Sequence, residues 1–291
     1  MDIQILRNFL AVTREENITR AAESLHISQP SLSKQLMELE KELGKQLMIR
    51  GKRKISLTED GVLLRKRAEE IIALVEKTEQ EIRIDTGNIS GDISIGGSET
   101  ETLLHAAAAL RRENPNIRFH FYSSDATDVS ERLDHGTLDF AVLLEPIDPM
   151  KHEYISLKDA FRWGLLMPAH SPLAEKDFIT GEELQTLPLI IHRRPGLQRE
   201  IANRAKTEPE QLNITATYNV VNGSPLHFVQ SGIGYFLTSE DHIAGGISPE
   251  VCFRPLFPPL ELHHALVWKR HQEQSRAAKA YLEKVRETLK K

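Results

Sequence analysis

The stretch Ser28-Gln29-Pro30-Ser31-Leu32-Ser33-Lys34 gathers small hydrogen-bonding side chains, a proline and one cation into two turns of helix. Each has a use against a base-pair edge or a phosphate. Gln29 can pair bidentately with adenine, Ser33 can bond either base type, and Pro30 can touch a thymine methyl. Lys34 can neutralise a phosphate, and the helix N-terminus favours one as well. Ser28 suits an N-cap. Pro30 is tolerated in a first helical turn because its missing N–H would be unpaired there. A helix entering a major groove by its leading turn needs side chains of this kind. An ordinary capped surface helix with a solvated face has the same composition, and the residues of this stretch alone leave both readings open.

The elements around the stretch narrow the choice. Leu32, Leu36, Leu39 and Leu43, spaced by four, three and four, predict a buried stripe. Pro30, Lys34, Met37 and Lys41 then fall on the opposite face, flanked by Ser31 and Ser33. Gly44 suits the left-handed position that ends a helix. Upstream, Ile3, Leu6 and Leu10, with Ile5 and Phe9 beside them, predict an amphipathic helix. Thr19 is expected to cap a second short helix through Leu25, with Ala21 and Ala22 small enough for close packing, and His26 to Ser28 form a tight turn. Helix, turn and capped helix make a helix-turn-helix. Downstream, five basic residues and no acidic one lie from Lys45 to Lys54. Leu47, Ile49, Ile55 and Leu57 anchor this segment and Gly51 turns it, which predicts a β-hairpin wing with a cationic tip. Arg50 and Arg53 could reach phosphates or a narrow minor groove; a solvated basic loop is the alternative.

The charge distribution agrees with an anionic partner for this end only. The chain of 291 residues carries a formal net charge of −5. Through Thr58 ten basic residues oppose seven acidic ones, a net +3, which leaves −8 for the remainder. Cys252 is the single cysteine, so no internal disulfide can form, as expected in a reducing compartment. No signal sequence is read at the N-terminus, and no apolar run approaches the ~20 residues of a membrane span; a cytoplasmic location is the expectation.

Thr58 is expected to cap a long helix running without proline to about Asp85. Leu64, Ala68, Ile71, Val75, Thr78 and Ile82 repeat by fours and threes, a seam fit for pairing with a second copy. Packing on its own domain is the other use of such a face. Paired copies would hold two reading helices at a fixed separation over a two-fold-related DNA site. The segment "DTGNISGD" supplies a break into the rest of the chain.

The stretch from Ala21 to Gly61 resembles the N-terminal domain of LysR-type transcriptional regulators. The family pattern is matched at Ala21, Ala22, Leu25, Ser28, Gln29, Pro30, Leu32, Ser33, Lys34, Gln35, Leu39, Glu40, Leu43, Gly44, Leu47, Arg50, Arg53, Leu57, Thr58 and Gly61. Met48 stands where the family usually has Phe, and Asp60 where Ala is usual. The resemblance implies a winged helix-turn-helix whose DNA contacts come from Ser28, Gln29, Pro30, Ser31, Ser33, Lys34, Arg50 and Arg53.

Beyond Ile89 strands alternate with helices, which predicts parallel sheet with crossover helices. "GDISIGG", "IRFHFYSS" and "GTLDFAVLL" are strands, with helices from about Glu99 to Asn114 and Asp128 to His135 between them. "RWGLLMP" opens a second set, with strands near "LPLIIH", "ITATYNV", "GIGYFL" and "VCFRPL". "HHALVWK" returns to the first set and a closing helix spans Ser275 to Lys290. "GTLDFAVLLEP", "PAHSPLA", "QSGIGYFLTSE" and the last strand and helix are similar to the family's effector domain, itself similar to periplasmic binding proteins; Thr238, placed in a loop, stands where Pro is usual. That resemblance implies two lobes with a small molecule between them, and tetramers. Ligands of open α/β sheets sit off the carboxyl ends of strands near helix N-termini, which points to Ser98, Thr100 and Thr127 in one lobe and to His192 and Arg193 in the other. Ser98 and Thr127 also match the family's effector positions. Simple capping for Ser98 and Thr127 and an exposed loop for His192 and Arg193 remain alternatives. Arg193 or Arg194 would suit a carboxylate, whereas Glu99 and Glu101 would repel one if they pointed inward.

The expected architecture is therefore α plus α/β. Residues 1–58 form a winged helix-turn-helix and 59–88 a linker and dimerisation helix. Residues 89–291 form the effector domain, with lobe I about 89–161 and 266–291 and lobe II about 162–265. The expected function is a homo-oligomeric, effector-controlled transcriptional regulator, meeting RNA polymerase if it activates. The alternative is an enzyme or a small-molecule-binding protein on the two-lobed body. No G-x-S-x-G elbow, G-x-G-x-x-G turn, Walker loop or H-E-x-x-H helix is present. His263 and His264 are adjacent on a strand and so face apart, and Cys252 reads as a core residue. No metal or cofactor is expected, and no catalytic residue.

Overall fold

The computed structural model describes residues 1–51, 54–82, 89–219, 225–243 and 248–290. Asp2 opens the first helix, α1 (Ile3–Glu15), by accepting from the Ile5 N–H at 2.8 Å. Asn17 caps α2 (Ile18–Ser24) by accepting from Thr19 and Arg20, so the expected cap at Thr19 moves two residues upstream. Asn is the better cap and stands where the backbone is still extended. His26 takes a positive φ of 56° in the turn, and Ser28 caps α3 (Gln29–Leu43). Gly44, at φ 64°, ends it.

Leu32, Leu36 and Leu39 of α3 are buried against Phe9 and Val12 of α1 and Ala21 and Ala22 of α2. Full burial of a leucine is worth roughly 1.5–3 kcal/mol, so this stripe alone fixes the rotation of α3. Leu43, read as the fourth member, is 39% exposed. It lies in the last turn, beyond the reach of the two short helices. Buried Asn8 donates to Gln35 at 2.6 Å and pins α3 to α1.

The wing is β1 (Met48–Arg50) paired antiparallel with β2 (Ile55–Leu57). The Glu40 carboxylate accepts from the Leu47 and Met48 N–H groups at 2.8 and 3.1 Å, so the wing hangs from α3 itself. Thr58 accepts from the Gly61 N–H and starts α4 (Glu59–Ile82). A Cβ at Gly61 would lie 2.0 Å from the Leu47 carbonyl oxygen, so only glycine lets α4 approach the wing this closely. Of the expected break "DTGNISGD", residues 85–88 lie outside the described residues, and Gly91 and Asp92 already belong to the next strand.

The rest of the chain is a curled mixed sheet with helices packed on it. In order it runs β3 (Gly91–Gly97), α5 (Glu101–Glu113), β4 (Ile117–Tyr122), α6 (Ala126–Asp134), β5 (Phe140–Leu144) and β6 (His152–Pro168). Then come β7 (Ile179–Thr180), α7 (Gly181–Leu184), β8 (Leu189–His192), α8 (Pro195–Arg204), β9 (Ile214–Tyr218) and α9 (Leu226–Gln230). The chain closes with β10 (Tyr235–Ser239), β11 (Val251–Phe257), β12 (Glu261–Lys269) and α10 (Arg276–Leu289). The strand order β4-β3-β5-β12-β6-β10-β8-β9 passes through β6, which belongs to both lobes. Its first part pairs with β12, while its last part pairs with β10 on one side and β11 on the other. Thr238 lies in β10 opposite Gly164 and is fully buried, not in a loop.

Each lobe has its own core. Phe119, Phe140 and Tyr281 meet in lobe I, with ring centroids 5.2 and 5.6 Å from Tyr281, whose hydroxyl donates to the Leu103 carbonyl. Burial pushes the Tyr281 phenol well above its ordinary pKa. Leu165, Met167, Leu189, Ile191, Leu197 and Leu237 build the lobe II core.

Helix α4 docks on lobe I. Lys66 meets Glu131 at 2.6 Å, the His135 ring lies 3.4 Å from Glu70, and Lys77 meets Asp139 at 2.7 Å. The last pair is the buried one. The second oxygen of Asp139 accepts from the Ser94 N–H at 2.8 Å, which ties α4 to β3 through one carboxylate. Removing one partner of such a pair strands the other charge. Asp139→Ala should therefore lower the unfolding free energy of the full chain by about 3 kcal/mol in urea titrations. Asp139→Asn, which keeps an acceptor for Ser94, should cost less.

Candidate nucleic-acid interface and effector cleft

At the N-terminal end of α3, Ser28, Gln29, Pro30, Ser31 and Lys34 are all exposed, and Ser33 is half-buried. Ser28 is occupied with the Ser31 N–H at 3.4 Å. Lys34 lies 3.8 Å from Glu38, a loose surface pair that costs little to part. The leading end thus exposes an amide, a hydroxyl and an ammonium; Pro30 has no N–H and that of Ser31 is taken, which leaves the Gln29 N–H of the first turn. The Arg50 side chain and the whole of Arg53 lie outside what the structure describes. The strand pair next to the turn is nonetheless tied to the end of α1, with Ile55 N–H donating to the Glu16 carbonyl at 2.8 Å.

Along α4 the seam residues divide. Ala68 is fully buried in the chain itself and Leu64 packs partly on the helix-turn-helix core. Val75 is half-buried, Thr78 is exposed, and Ile71 and Ile82 are exposed with Leu63 and Leu74 beside them. Leu63, Ile71, Leu74 and Ile82 form an open apolar stripe, with Val62 also exposed, rotated from the expected seam because Ala68 is buried within the chain.

In the cleft, Thr100, not Ser98, caps α5, accepting from the Leu103 N–H; Ser98 is exposed at the end of β3. Gly97, at φ 102°, lets that end bend, since a Cβ there would stand 2.3 Å from the Val142 carbonyl oxygen. Asp125, not Thr127, caps α6: its Oδ1 accepts from the Thr127 and Asp128 N–H groups at 3.0 Å. Thr127 is exposed beside it. The second oxygen of Asp125 faces lobe II, where it accepts from Arg193 at 3.0 Å and from Asn219 at 3.1 Å. Arg193 is thus spent on a bridge between the lobes.

His192 organises the lobe II side. The Arg194 N–H donates to its Nδ1 at 3.0 Å, so the other ring nitrogen carries the proton and donates to the Asn219 carbonyl at 3.0 Å. Held this way, the turn sends Arg193 across to Asp125 and Arg194 to the Leu144 carbonyl at 3.0 Å. Glu99 sits where Ser123 donates to it at 3.1 Å, so a carboxylate already stands at the ends of β3 and β4. Neither Asp125 nor Asn219 carried a signal in the sequence. Asp125 reads as one more helix cap, and its partner lies 94 positions away.

Elsewhere, Cys252 lies half-buried in β11, where burial raises its thiol pKa and leaves it inert. Among the described residues no three His, Cys, Asp or Glu side chains are placed to hold a metal ion, and no helix is long and apolar enough to cross a membrane.

The backbone N–H of Asp128 does most to hold the Asp125 carboxyl below its ordinary pKa, against a desolvation penalty, with Asn219, Thr127 and Arg193 adding to it. Its contribution to lobe closure is present above the ordinary value and is lost as pH falls through the lowered one. Labels on the two lobes should hold a constant separation from neutral pH to the ordinary aspartate value of about 3.9 and move apart only in stronger acid. Asp125→Ala should show the wider separation already at neutral pH.

Comparison with known proteins places these features. Residues 3–62 match the bacterial regulatory helix-turn-helix proteins of the lysR family, and residues 86–290 match the LysR substrate binding domain. The transcriptional regulator CysB of Burkholderia cenocepacia is 32% identical over 201 residues, 67% of this chain and 64% of that protein. The probable RuBisCO transcriptional regulator of Phaeodactylum tricornutum is 35% identical over 229 residues, 75% of this chain and 74% of that protein. The crystal structure of CbnR, a LysR family transcriptional regulator, superposes with a TM-score of 0.77 over 100% of both chains at 18% identity; CbnR in complex with its target DNA gives 0.75 at 19%, over 99% of this chain and 100% of that one. At those identities the likeness is one of fold. With a helix-turn-helix half and a larger substrate-binding half both matched in sequence, this chain belongs to the LysR family of bacterial transcriptional regulators.

Proposed function

We propose that this chain binds a two-fold-related DNA site as a dimer or a tetramer built from dimers, and that a small molecule between its lobes changes how it does so. The observation that carries the reading is the exposed leading turn of α3, with Gln29, Pro30, Ser31 and Lys34 facing solvent while Leu32, Leu36 and Leu39 are buried. In this reading residues 1–58 read DNA, 59–88 pair two copies and 89–291 respond to ligand. The open stripe on α4 supplies the pairing surface. That CbnR is known with its target DNA supports carrying the same use to this chain. The protein works in the cytoplasm, and contacts RNA polymerase where it activates.

The ligand acts through lobe closure. A molecule that prefers one spacing of Asp125 from Arg193 and Asn219 shifts the population toward it. Lobe I carries α4 through Lys77 and Asp139, so a change in the cleft reaches the helix that spaces the reading heads.

Selecting bound fragments from genomic DNA gives the site on which this is tested. Gln29→Ala should lose about 1–3 kcal/mol on the selected duplex while binding random duplex as the parent does. Lys34→Ala should weaken both alike and reduce the slope of log affinity against log salt by about 1. An unchanged site preference in Gln29→Ala would remove that residue from the readout, and no salt-sensitive binding to any duplex would defeat the proposal.

A further inference from the structure

A cavity of about 860 Å³ opens at the junction of the lobes, bounded by the end of β5, the start and outer face of α8, and the turn from β11 into β12. Neither Ser98, Thr100, Thr127, His192 nor Arg193 lines it. Its volume falls within the range of sites that enclose small molecules. Leu144 and Leu262 give it apolar wall, and Arg204 and Glu200 brace one side by pairing with each other at 2.8 Å.

Two charged groups in this cavity lack the partner their chemistry asks for. The Arg194 guanidinium is half-buried and donates one hydrogen bond, to the Leu144 carbonyl. Among the described residues no carboxylate forms an ion pair with it, and burial alone lowers its pKa from the ordinary value. It stays charged nonetheless, with N–H groups to spare. Glu145 is held by its backbone N–H donating to the His263 carbonyl at 2.9 Å. Its Oε1 is shut off from solvent without a hydrogen-bond partner among the described residues, so a ligand in the cavity reaches the carboxylate by its other oxygen. That oxygen forms no ion pair among the described residues, and a half-buried carboxylate gains from one. The two do not relieve each other, since no ion pair joins them.

We propose that this cavity binds a zwitterion, an amino acid or short peptide, with its carboxylate on Arg194 and its ammonium on Glu145. A plain carboxylate would satisfy the guanidinium but sit beside an unmet, repelling carboxylate. A plain amine would leave the guanidinium without a counter-ion. Only a ligand bearing both charges meets both groups with charge-assisted hydrogen bonds. The site is built from both lobes, Glu145 from the end of β5 and Arg194 from the turn into α8, so its occupant favours one lobe spacing. Arg194 adjoins Arg193, which links the occupied cavity to the Asp125 bridge. The proposal rests on reading this half of the chain as the ligand-responsive domain.

Gly196 offers a variant that blocks the cavity without disturbing the fold, because a Cβ there meets nothing within 4 Å. The full chain is titrated by calorimetry with the twenty L-amino acids, with dipeptides, and with the α-amide and the deaminated acid of any compound that binds. At least one amino acid or dipeptide should bind, and which set binds identifies the source. Its amide and its deaminated acid should each bind about tenfold or more weakly, as should the parent ligand to Arg194→Ala and Glu145→Gln. Gly196→Phe should abolish binding at an unchanged melting temperature. Failure of every zwitterion, equal binding of an amide or deaminated acid, or parental affinity in Gly196→Phe would each overturn the assignment. Those outcomes leave the regulator reading standing if another metabolite still alters DNA binding; zwitterion binding with no DNA binding at all would defeat that reading and spare this one.

Discussion

The burial of Leu32, Leu36 and Leu39 on one side of α3 decides what the other side is for. With those three fixed against α1 and α2, the helix cannot roll, and Gln29, Pro30, Ser31 and Lys34 have nowhere to face but outward. The neighbouring contacts guard the same geometry. Asn8 grips Gln35 from α1, and Glu40 holds the wing by two backbone N–H groups. At the presented end Ser28 is spent on the cap, accepting from the Ser31 N–H, while Gln29, Pro30, Ser31 and Lys34 stay exposed.

From that end the chain runs to the cleft through rigid parts. Gly61 lets α4 lie against the wing, and Lys77 and Asp139 fasten the far half of α4 to β3. Strand β6 then runs unbroken from lobe I into lobe II. Polar contacts between the lobes join Asp125 with Arg193 and Asn219, and Arg194 with the Leu144 carbonyl. Such contacts are weak enough for a ligand to trade against its own.

Local patterns were legible in the sequence. The leucine spacing of α3, the Ser28 and Gly44 caps, the wing, the long fourth helix and the strand–helix alternation follow from residues near one another in the chain. Misplaced features depend on neighbours that spacing does not reveal. Thr19 yielded its capping role to Asn17 because two candidates stood two residues apart. Leu43 kept the period of its stripe but ran past the end of the core. Ala68 fitted a heptad equally well for an intermolecular and an intramolecular face, and it is buried within the chain. At the cleft, Thr100 and Asp125 hold the caps, with Ser98 two residues before the first and Thr127 two after the second. Asp125, Asn219, Glu145 and Arg194 come together only through the pairing of two lobes, and no local pattern marks them.

The claim under all of this is that the leading turn of α3 meets base edges. A photoreactive side chain placed at Ser31, in the full chain bound to a duplex selected from genomic DNA, tests it most directly. The account predicts a crosslink to major-groove base atoms at two positions related by the symmetry of the site. Crosslinks confined to the protein, with the duplex bound elsewhere, would contradict it.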